Sequence, residues 1–497
     1  MKISNALLCF LFLAANFCSL VGQKSDYDLH KQYPPAQLKE DLAILKRHLE
    51  TVHAGLYTYT PKEELDKHFA TIESQLDQPM TDIAFYRLVS PLLTPIGNGH
   101  TNIQPPDGFL AQHRTNFSIF PISIKWIEGS LYTLRDLGTT ETTPLGAKIL
   151  TINNMKADSL FLAMRNHTTR DGFNLSNPND HLSLRFRHYY SYLIGQPDTF
   201  HLRLQLNNGD IQEVQLAAEP YQTLLDTYNK RYAKLVEAND APPLRFRIEN
   251  GIAILTIKSF STNYLKKRGQ KFDAFLEDAF QQIADQKIEH LILDMRNNGG
   301  GDPEPTIALF GYLHDQVFTF YKEISIITRN VPDNRLYKDK LFFQELFISL
   351  RTKKDEDRYH LKGISGLKPS PPLSPRFDGE LYILGNGRSF SATGEMSAIL
   401  KEHNRGVFIG EEIGGNPVQN TSGAMLRLQL PHTSLNVVNP IVLWKMNVTF
   451  ENTGHGVQPD YPVVATIDDL MSGRDAVLEF AKDLAQQNQQ KAKASSE

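Results

Sequence analysis

The sequence predicts an α/β fold, because strand-like and helix-like segments alternate along the chain from residue 244 onward. "IAILTI" (252–257) and "HLILDM" (290–295) are apolar runs of strand length, and the amphipathic segment "GQKFDAFLEDAFQQIADQ" (269–286) lies between them. The apolar centre of the second run continues up to Asp294, which is typical of a strand buried on both faces of a parallel sheet.

The same alternation continues towards the C-terminus, with a strand at 379–386, a helix at 391–404 and a strand at 406–410. We therefore assign residues 244–482 to one α/β core. Residues 315–377 are rich in charge and proline, and we expect them to be an insertion in this core. Residues 483–497 are interpreted as a polar tail.

Upstream of the core, the pattern indicates two further regions. Residues 23–115 are predicted to form an N-terminal helical region, in which leucines at 38, 42, 45 and 49 share one helical stripe. Residues 116–228 contain short alternating segments and a hairpin turn at 207–210, which predicts a β-rich module. The polar stretch 229–243 is interpreted as a linker.

The length, composition and charge of the chain limit the number of domains and the kinds of partner. A chain of 497 residues is too long for one hydrophobic core, and a prior of about 150 residues per domain suggests about three domains. With 41% hydrophobic and 22% charged residues the composition is that of a globular protein. The net charge of −4 does not favour a nucleic acid or an anionic membrane surface as partner.

The first residues resemble a secretory signal peptide. Lys2 provides the basic start, and residues 6–20 are mostly apolar but too short for the ~20 residues of a membrane span. Cleavage near Gly22 would make residues 1–22 the signal and the protein secreted or periplasmic. A buried N-terminal helix is the alternative, and no later run is long enough to span a membrane.

Both cysteines of the chain, Cys9 and Cys18, fall inside this segment. A chain cleaved there would have neither disulfides nor thiol chemistry. Anchoring as a lipoprotein through Cys18 is the other interpretation, although the bulky Phe17 precedes it where a small residue is expected.

A glycine-rich stretch, "RNNGGGDPEP" (296–305), follows the strand that ends at Asp294. Glycines at this point allow either a tight turn or a close approach of the backbone to a ligand. If a neighbouring strand ends at the same edge of the sheet, an amide of this turn could bind a ligand oxygen.

The stretch "GNGRSFSATGEMSAIL" (385–400) predicts a strand, a turn with serines, and a helix. Amides at a helix start can stabilise an oxyanion, so a serine there is a candidate nucleophile. Ser389 and Ser391 compete for this role, and neither lies in the Gly-x-Ser-x-Gly elbow. Ser389 has Gly387 before it, but position 391 is serine where that motif needs glycine. The alternative for Ser391 is that it only caps the helix.

His100, in "LLTPIGNGHTNI" (92–103), lies in a glycine-rich turn and is a candidate general base or a structural histidine. We predict neither a metal nor a cofactor. Glu64 and His68 share a helix face without a third ligand, and no Walker loop or dinucleotide fingerprint is present.

Four motifs in order carry a family resemblance: "IGNGHT", "LILDMRNNGGG", "SFSATGEMSAILKEHNRGVFIGEEIGG" and "GVQPD". Together they resemble the serine peptidases of the C-terminal-processing and tricorn-core family. The resemblance implies a clp/crotonase-like core, with a PDZ-like module at residues 116–228. It implies that Ser391 is the nucleophile, that Ala392 and Gly300 supply oxyanion-hole amides, and that His100 is the base of the tricorn-like branch.

The processing-protease branch uses a Ser/Lys pair instead, but Asn416 stands about where its lysine would fall, and no lysine occurs between 402 and 444. In the tricorn-like branch a glutamate orients the histidine, and Glu451 is the candidate here. Its spacing to the "GVQPD" stretch is longer than the family's. His455 and Asp460 are nearby rivals.

The expected function is therefore that of a secreted serine endopeptidase acting on proteins or peptides through an acyl-enzyme. Two alternatives stay open. The same fold also serves retinoid-binding proteins without proteolytic activity, and related folds carry esterases or acyl-transfer enzymes acting on thioesters.

Overall fold

The structure is a computed structural model that describes residues 27–331, 333–338 and 351–496. The expected signal peptide of residues 1–22, with both cysteines, lies outside the described residues. In the N-terminal region, α1 buries the predicted leucine stripe, and the side chain of Thr81 caps α3 by accepting the Ala84 N–H. The elements of this region are α1 (Pro35–Val52), α2 (Lys62–Ser74), α3 (Asp82–Val89), a 3-10 helix (Ser90–Ile96), β1 (Asn102–Gln104) and α4 (Asp107–Thr115).

The next region is built around an antiparallel sheet with the strand order β3-β4-β5-β7-β8 and with β6 paired to β5. Its buried face packs on α5 and α6 through an aromatic core that includes Phe161, Phe186 and Phe200. Its strands are β2 (Ser118–Ile119), β3 (Ile122–Ile127), β4 (Ser130–Asp136), β5 (Lys148–Ile152), β6 (Met155–Lys156), β7 (Thr199–Gln205), β8 (Ile211–Ala217) and β9 (Glu219–Pro220). Its helices are α5 (Ala157–Arg165), α6 (Ser176–Leu193), α7 (Tyr221–Arg231) and α8 (Ala233–Asn239).

The predicted hairpin is present as β7 and β8. Residues 229–243, interpreted from the sequence as a linker, instead lie largely in α7 and α8. For α7 the physical reason is tertiary packing, since Leu224 is buried against Ile119 and Leu137.

The α/β prediction is confirmed by a six-stranded sheet with the order β10-β11-β12-β16-β17-β22. Every pair is parallel except β10 with β11. In β12, Leu291 and Leu293 face one hydrophobic cluster and Ile292 faces the other, which is why this strand is a continuous apolar run. The strands are β10 (Leu244–Glu249), β11 (Ile252–Ile257), β12 (His290–Asp294), β16 (Glu380–Gly385), β17 (Val407–Gly410) and β22 (Tyr461–Pro462).

Helices cover both faces of this sheet. The helices of this part of the chain are α9 (Thr262–Lys267), α10 (Phe272–Asp285), α11 (Pro303–Leu313), α12 (Ala392–Glu402), α13 (Ile467–Ser472) and α14 (Ala476–Ser496), of which α13 contacts β4 of the preceding region. Residues 483–496, interpreted as a polar tail, continue α14, because Ala481 and Ala485 are buried against the sheet and Asn488 donates a hydrogen bond to the Tyr382 hydroxyl.

The expected insertion contributes to a second, five-stranded sheet with the order β14-β15-β13-β21-β18. Its strands are β13 (Tyr321–Ile326), β14 (Thr352–Asp355), β15 (Arg358–Leu361), β18 (Gln419–Ser422) and β21 (Val442–Met446), and a 3-10 helix covers Asn334–Leu336. The strand β20 (Asn436–Asn439) pairs with β1 on one side and with β19 (Leu426–Gln429) on the other. The N-terminal region is thereby joined to the core through a shared sheet.

The central feature for function is that β12 and β16 are adjacent and parallel, with Asp294 opposite Leu384. Parallel neighbours end at the same edge, so the glycine turn after β12 and the serine loop after β16 meet there. Across residues 27–331, 333–338 and 351–496, no helix combines the length and apolar character needed to cross a bilayer.

Candidate active site

The glycine turn and the serine loop are hydrogen-bonded to each other. The Asn297 N–H donates to Asn386 Oδ1 at 3.0 Å, and Asn386 Nδ2 donates back to Asn297 Oδ1 at 3.0 Å. The Phe390 N–H donates to the Asn298 carbonyl oxygen, also at 3.0 Å. These bonds hold the residue before Ser391 against the start of the glycine turn.

Ser389 is a structural residue in this loop. Its side chain is fully buried, and its hydroxyl donates to the Met295 carbonyl oxygen at 2.9 Å while accepting the Asn386 N–H at 3.1 Å. A hydroxyl occupied in this way stabilises the loop and is not available as a nucleophile.

Ser391 precedes the first residue of α12 and has φ 56° and ψ −125°. A non-glycine residue in this region is strained, and such strain is concentrated at functional sites. Its side chain makes no capping hydrogen bond to α12, so the capping alternative does not account for the serine. The hydroxyl is therefore free of the one structural role that the sequence offered for it.

Gly300 contacts Ser391 directly. Gly300 has φ 96°, and a Cβ built on it would lie 2.8 Å from three atoms: the Ala392 nitrogen, the Phe390 carbonyl oxygen and Ser391 Cβ. Only glycine allows this approach. The Gly300 N–H donates to Asn298 Oδ1 at 2.9 Å.

We expect Gly300→Ala to lower the free energy of unfolding by about 1–3 kcal/mol, because the new methyl group meets backbone atoms in a left-handed conformation. Gly299→Ala is the matched control, since a Cβ there meets nothing within 4 Å and its φ is not in the left-handed region. We expect its effect to be within about 0.5 kcal/mol. Urea unfolding of both variants measures the difference, and equal losses would contradict this account of the turn.

His100 lies in the loop after the 3-10 helix, and its ring stacks on Phe390 with 4.6 Å between centroids and an interplanar angle of 30°. The structure therefore brings His100 next to the residue that precedes Ser391. Burial lowers the pKa of His100 to about 4, so the imidazole is neutral at physiological pH. Its Nδ1 is buried without a hydrogen-bond partner, and no hydrogen bond between His100 and Ser391 is present in the described part of the chain.

Glu451 is exposed, and its carboxylate makes no hydrogen bond or ion pair with His100 in the described residues. The rivals are engaged elsewhere: His455 Nδ1 lies 3.2 Å from Glu412 Oε1, and Asp460 pairs with Lys401 at 2.8 Å. The structure thus brings together the serine, the histidine and both backbone segments, but it leaves Glu451, the candidate for orienting His100, apart.

Two buried carboxylates that sequence reasoning missed lie around this site. Asp171 accepts the Gly99 N–H at 2.7 Å and the Asn416 N–H at 3.1 Å, and burial raises its pKa to about 6 although both N–H donors oppose the rise. Glu395 on α12 accepts hydrogen bonds from Tyr321 and Asn420, and burial raises its pKa.

The sequence contains no signal for Asp171, because the pair Asp171-Gly172 in a polar stretch predicts only a turn. The spacing of Glu395, four residues after Ser391 on one helix face, was the available signal for the second carboxylate. The described residues contain no group of three or more His, Cys, Asp or Glu side chains that could hold a metal ion.

Comparisons with known proteins give one family match and several solved structures of similar fold. Residues 251–463 match the model of peptidase family S41. No curated protein matches the chain. Among solved structures, an alanine mutant of CPAF is similar with a TM-score of 0.64 and 14% identity, over 90% of this chain and 96% of that one.

Two further CPAF structures give the same result. Mature CPAF complexed with lactacystin has a TM-score of 0.61 at 14% identity, covering 90% of this chain and 97% of that one. Mature CPAF has a TM-score of 0.59 at 14% identity, covering 90% and 96%. At this identity the likeness shows a common fold. The match of residues 251–463 to the model of peptidase family S41 supports a serine-type peptidase.

Proposed function

We propose that this protein is a serine endopeptidase in which Ser391 is the nucleophile and His100 the general base. The observation that carries the proposal is the start of α12. There a strained serine with an uncapped side chain touches Gly300 and follows the phenylalanine on which the His100 ring stacks. These features fit the requirements of acyl transfer.

In the proposed reaction, neutral His100 takes the Ser391 proton as the hydroxyl oxygen bonds to the substrate carbonyl carbon. The imidazolium then gives that proton to the leaving amine as the peptide bond breaks, which leaves an acyl-enzyme. Water attacks the ester in the second half, with His100 again accepting a proton. The low pKa of the buried ring keeps it in the neutral form that the first step needs.

The oxyanion that forms in both halves needs backbone donors. Ala392 begins α12, so its N–H is one of the amides that a helix start leaves without an intrahelical partner. The Gly300 N–H is the second proposed donor, and it must be shared with, or released by, Asn298 Oδ1 when the oxyanion forms.

Two parts of the proposed machinery require a conformational shift. His100 must come within hydrogen-bond reach of Ser391, and catalytic hydrogen bonds of this kind often tighten only when substrate is bound. Glu451 could orient His100 only after a larger rearrangement, because it lies exposed. The tricorn-like branch remains our proposal for the mechanism.

The proposed substrates are proteins or peptides. The module at residues 116–228 is proposed to be PDZ-like and to bind an extended chain by strand addition. An extracytoplasmic location is also part of the proposal and rests on the sequence of residues 1–22 alone.

A non-catalytic binding protein is the second candidate. It is favoured by one observation, the absence of a Ser391–His100 hydrogen bond together with a buried, unpartnered His100 Nδ1. A ligand in the same cleft could satisfy that nitrogen without any bond being cleaved.

Covalent labelling by a fluorophosphonate separates the two candidates. For a peptidase we expect stoichiometric modification of the folded protein, mapped by mass spectrometry to the peptide that contains Ser391, and parallel loss of casein hydrolysis. The exposed serines of the same chain provide the internal control for non-specific reaction. A folded protein that remains unlabelled and does not hydrolyse casein would instead be a binding protein.

A further inference from the structure

A segment of the β-rich region, residues 171–175 between α5 and α6, crosses from its own sheet to the cleft of the proposed site. It contacts the loop of His100, because the Gly172 N–H donates to the Gly97 carbonyl oxygen at 2.9 Å. It also contacts the core, where Asn174 Nδ2 donates to the Ile413 carbonyl oxygen at 2.9 Å. One short segment thus bonds to both halves of the proposed site.

Within this segment, Asp171 makes the bond closest to His100. Its Oδ1 accepts the N–H of Gly99, the residue before His100, at 2.7 Å, and its Oδ2 accepts the Asn416 N–H at 3.1 Å. Asp171 is only 3% exposed, and it takes no hydrogen bond from a lysine or arginine side chain in the described residues. A single carboxylate therefore links two backbone amides from different regions of the chain.

The loop of Asn416 in turn lies against the nucleophile. A Cβ built on Gly415 would be 3.3 Å from the Ser391 nitrogen, and a Cβ on Gly99 would be 2.7 Å from the Phe390 ring. We propose that Asp171 is a positioning residue for His100, because its carboxylate fixes the His100 loop relative to the Ser391 loop. This inference rests on the proposed function and adds to it a residue from outside the α/β core.

The proposed positioning role requires the ionised form of the Asp171 carboxylate. Both partners of Asp171 are N–H donors, so a group with two acceptor oxygens satisfies both, whereas a protonated acid or an amide turns one acceptor into a donor. Loss of either bond frees one loop from the other, and a misplacement of about 1 Å at a reacting group can cost about 10²-fold in rate.

The ionisable groups around Asp171 determine how the activity should depend on pH. The neighbouring ionisable groups are His100 on the N-terminal loop, Glu395 on α12, Tyr59 and Arg170. Burial, and after it the charge of Asp171, raises the pKa of Tyr59, and the Arg170 Nε donates to the Gly172 carbonyl oxygen. The pKa of Asp171 is raised to about 6 by burial and that of His100 is lowered to about 4. As pH falls, Asp171 therefore takes up its proton before His100 does, and activity should fall through about pH 6.

The test compares Asp171→Asn with Asp158→Asn. Asp158 is an exposed aspartate on α5 of the same region, and its side chain bonds, among the described residues, only to its neighbour Ser159. For Asp171→Asn we expect kcat on a casein-derived peptide to fall about 10–100-fold with KM changed less than about 3-fold. In this variant, the decrease of kcat/KM at low pH should move from about pH 6 towards the pKa of His100, which is about 4. Asp158→Asn should match the wild type in both respects.

The wild-type protein provides a second test that needs no variant. The rate of fluorophosphonate labelling at Ser391 should decline through about pH 6 while circular dichroism shows the fold unchanged. A flat labelling rate from pH 7 to pH 5, or an Asp171→Asn variant with wild-type kcat, would overturn the role of Asp171 and leave the peptidase intact. Absence of labelling at every pH would overturn the proposed function, and this inference with it.

Discussion

Ser391→Ala is expected to lower kcat/KM for peptide hydrolysis by at least about 10³-fold, because the proposed acyl-enzyme forms on the Ser391 hydroxyl. The stability of the protein should stay the same, since the Ser391 side chain makes no capping hydrogen bond and alanine at φ 56° is no more strained than serine. The measurements are casein hydrolysis, fluorophosphonate labelling and urea unfolding of the purified variant.

Ser389→Ala is the matched control for that variant, two positions earlier in the same loop. It should show the opposite result, with labelling retained and the free energy of unfolding lowered by about 1–3 kcal/mol, because the Asn386 N–H loses its buried partner. Retention of more than a tenth of wild-type activity by Ser391→Ala would remove Ser391 from the mechanism.

His100→Phe is expected to lower kcat about 10²–10⁴-fold, the range lost when a general base is removed. Phenylalanine keeps a flat ring to stack on Phe390 and has no buried nitrogen to leave without a partner. The melting temperature should therefore be equal to or above that of the wild type, which separates loss of the base from loss of the fold.

His113→Phe provides the comparison. His113 is also buried, its pKa is also lowered to about 4, and it packs against Phe109 and Phe117 of the N-terminal region. We expect this variant to keep wild-type kcat. If His100→Phe also hydrolyses casein at the wild-type rate, another group must be the base, and the assignment of the tricorn-like branch fails.

Local patterns in the sequence were sufficient to predict the α/β core. The continuous apolar run of β12 reflects burial on both faces of the sheet, and the alternation of strands and helices follows from each element needing a partner for its apolar face. The glycine turn was also readable, since a backbone contact such as that of Gly300 with Ser391 leaves glycine as the residue that fits.

Local patterns failed where a residue's role depends on partners far away in the chain. Ser389 and Ser391 have the same chemistry and nearly the same position, and only the burial of the first against Met295 separates them. Residues 229–243 are polar enough to be interpreted as a linker, yet α7 extends into them and is stabilised by distant contacts of Leu224 that no local pattern records.

The order of elements along the chain and the presence of a serine, a histidine and a glycine turn could be read from the amino acids, because helix and strand periodicity and glycine's conformational freedom are local properties. The stacking of His100 on Phe390, the burial of Asp171 between two loops and the exposure of Glu451 could not, because each depends on how separate regions close over one cleft. A buried carboxylate is tolerated only where folding supplies its N–H donors, and in this protein those donors come from the loops of Gly99 and Asn416, which lie far apart in the sequence.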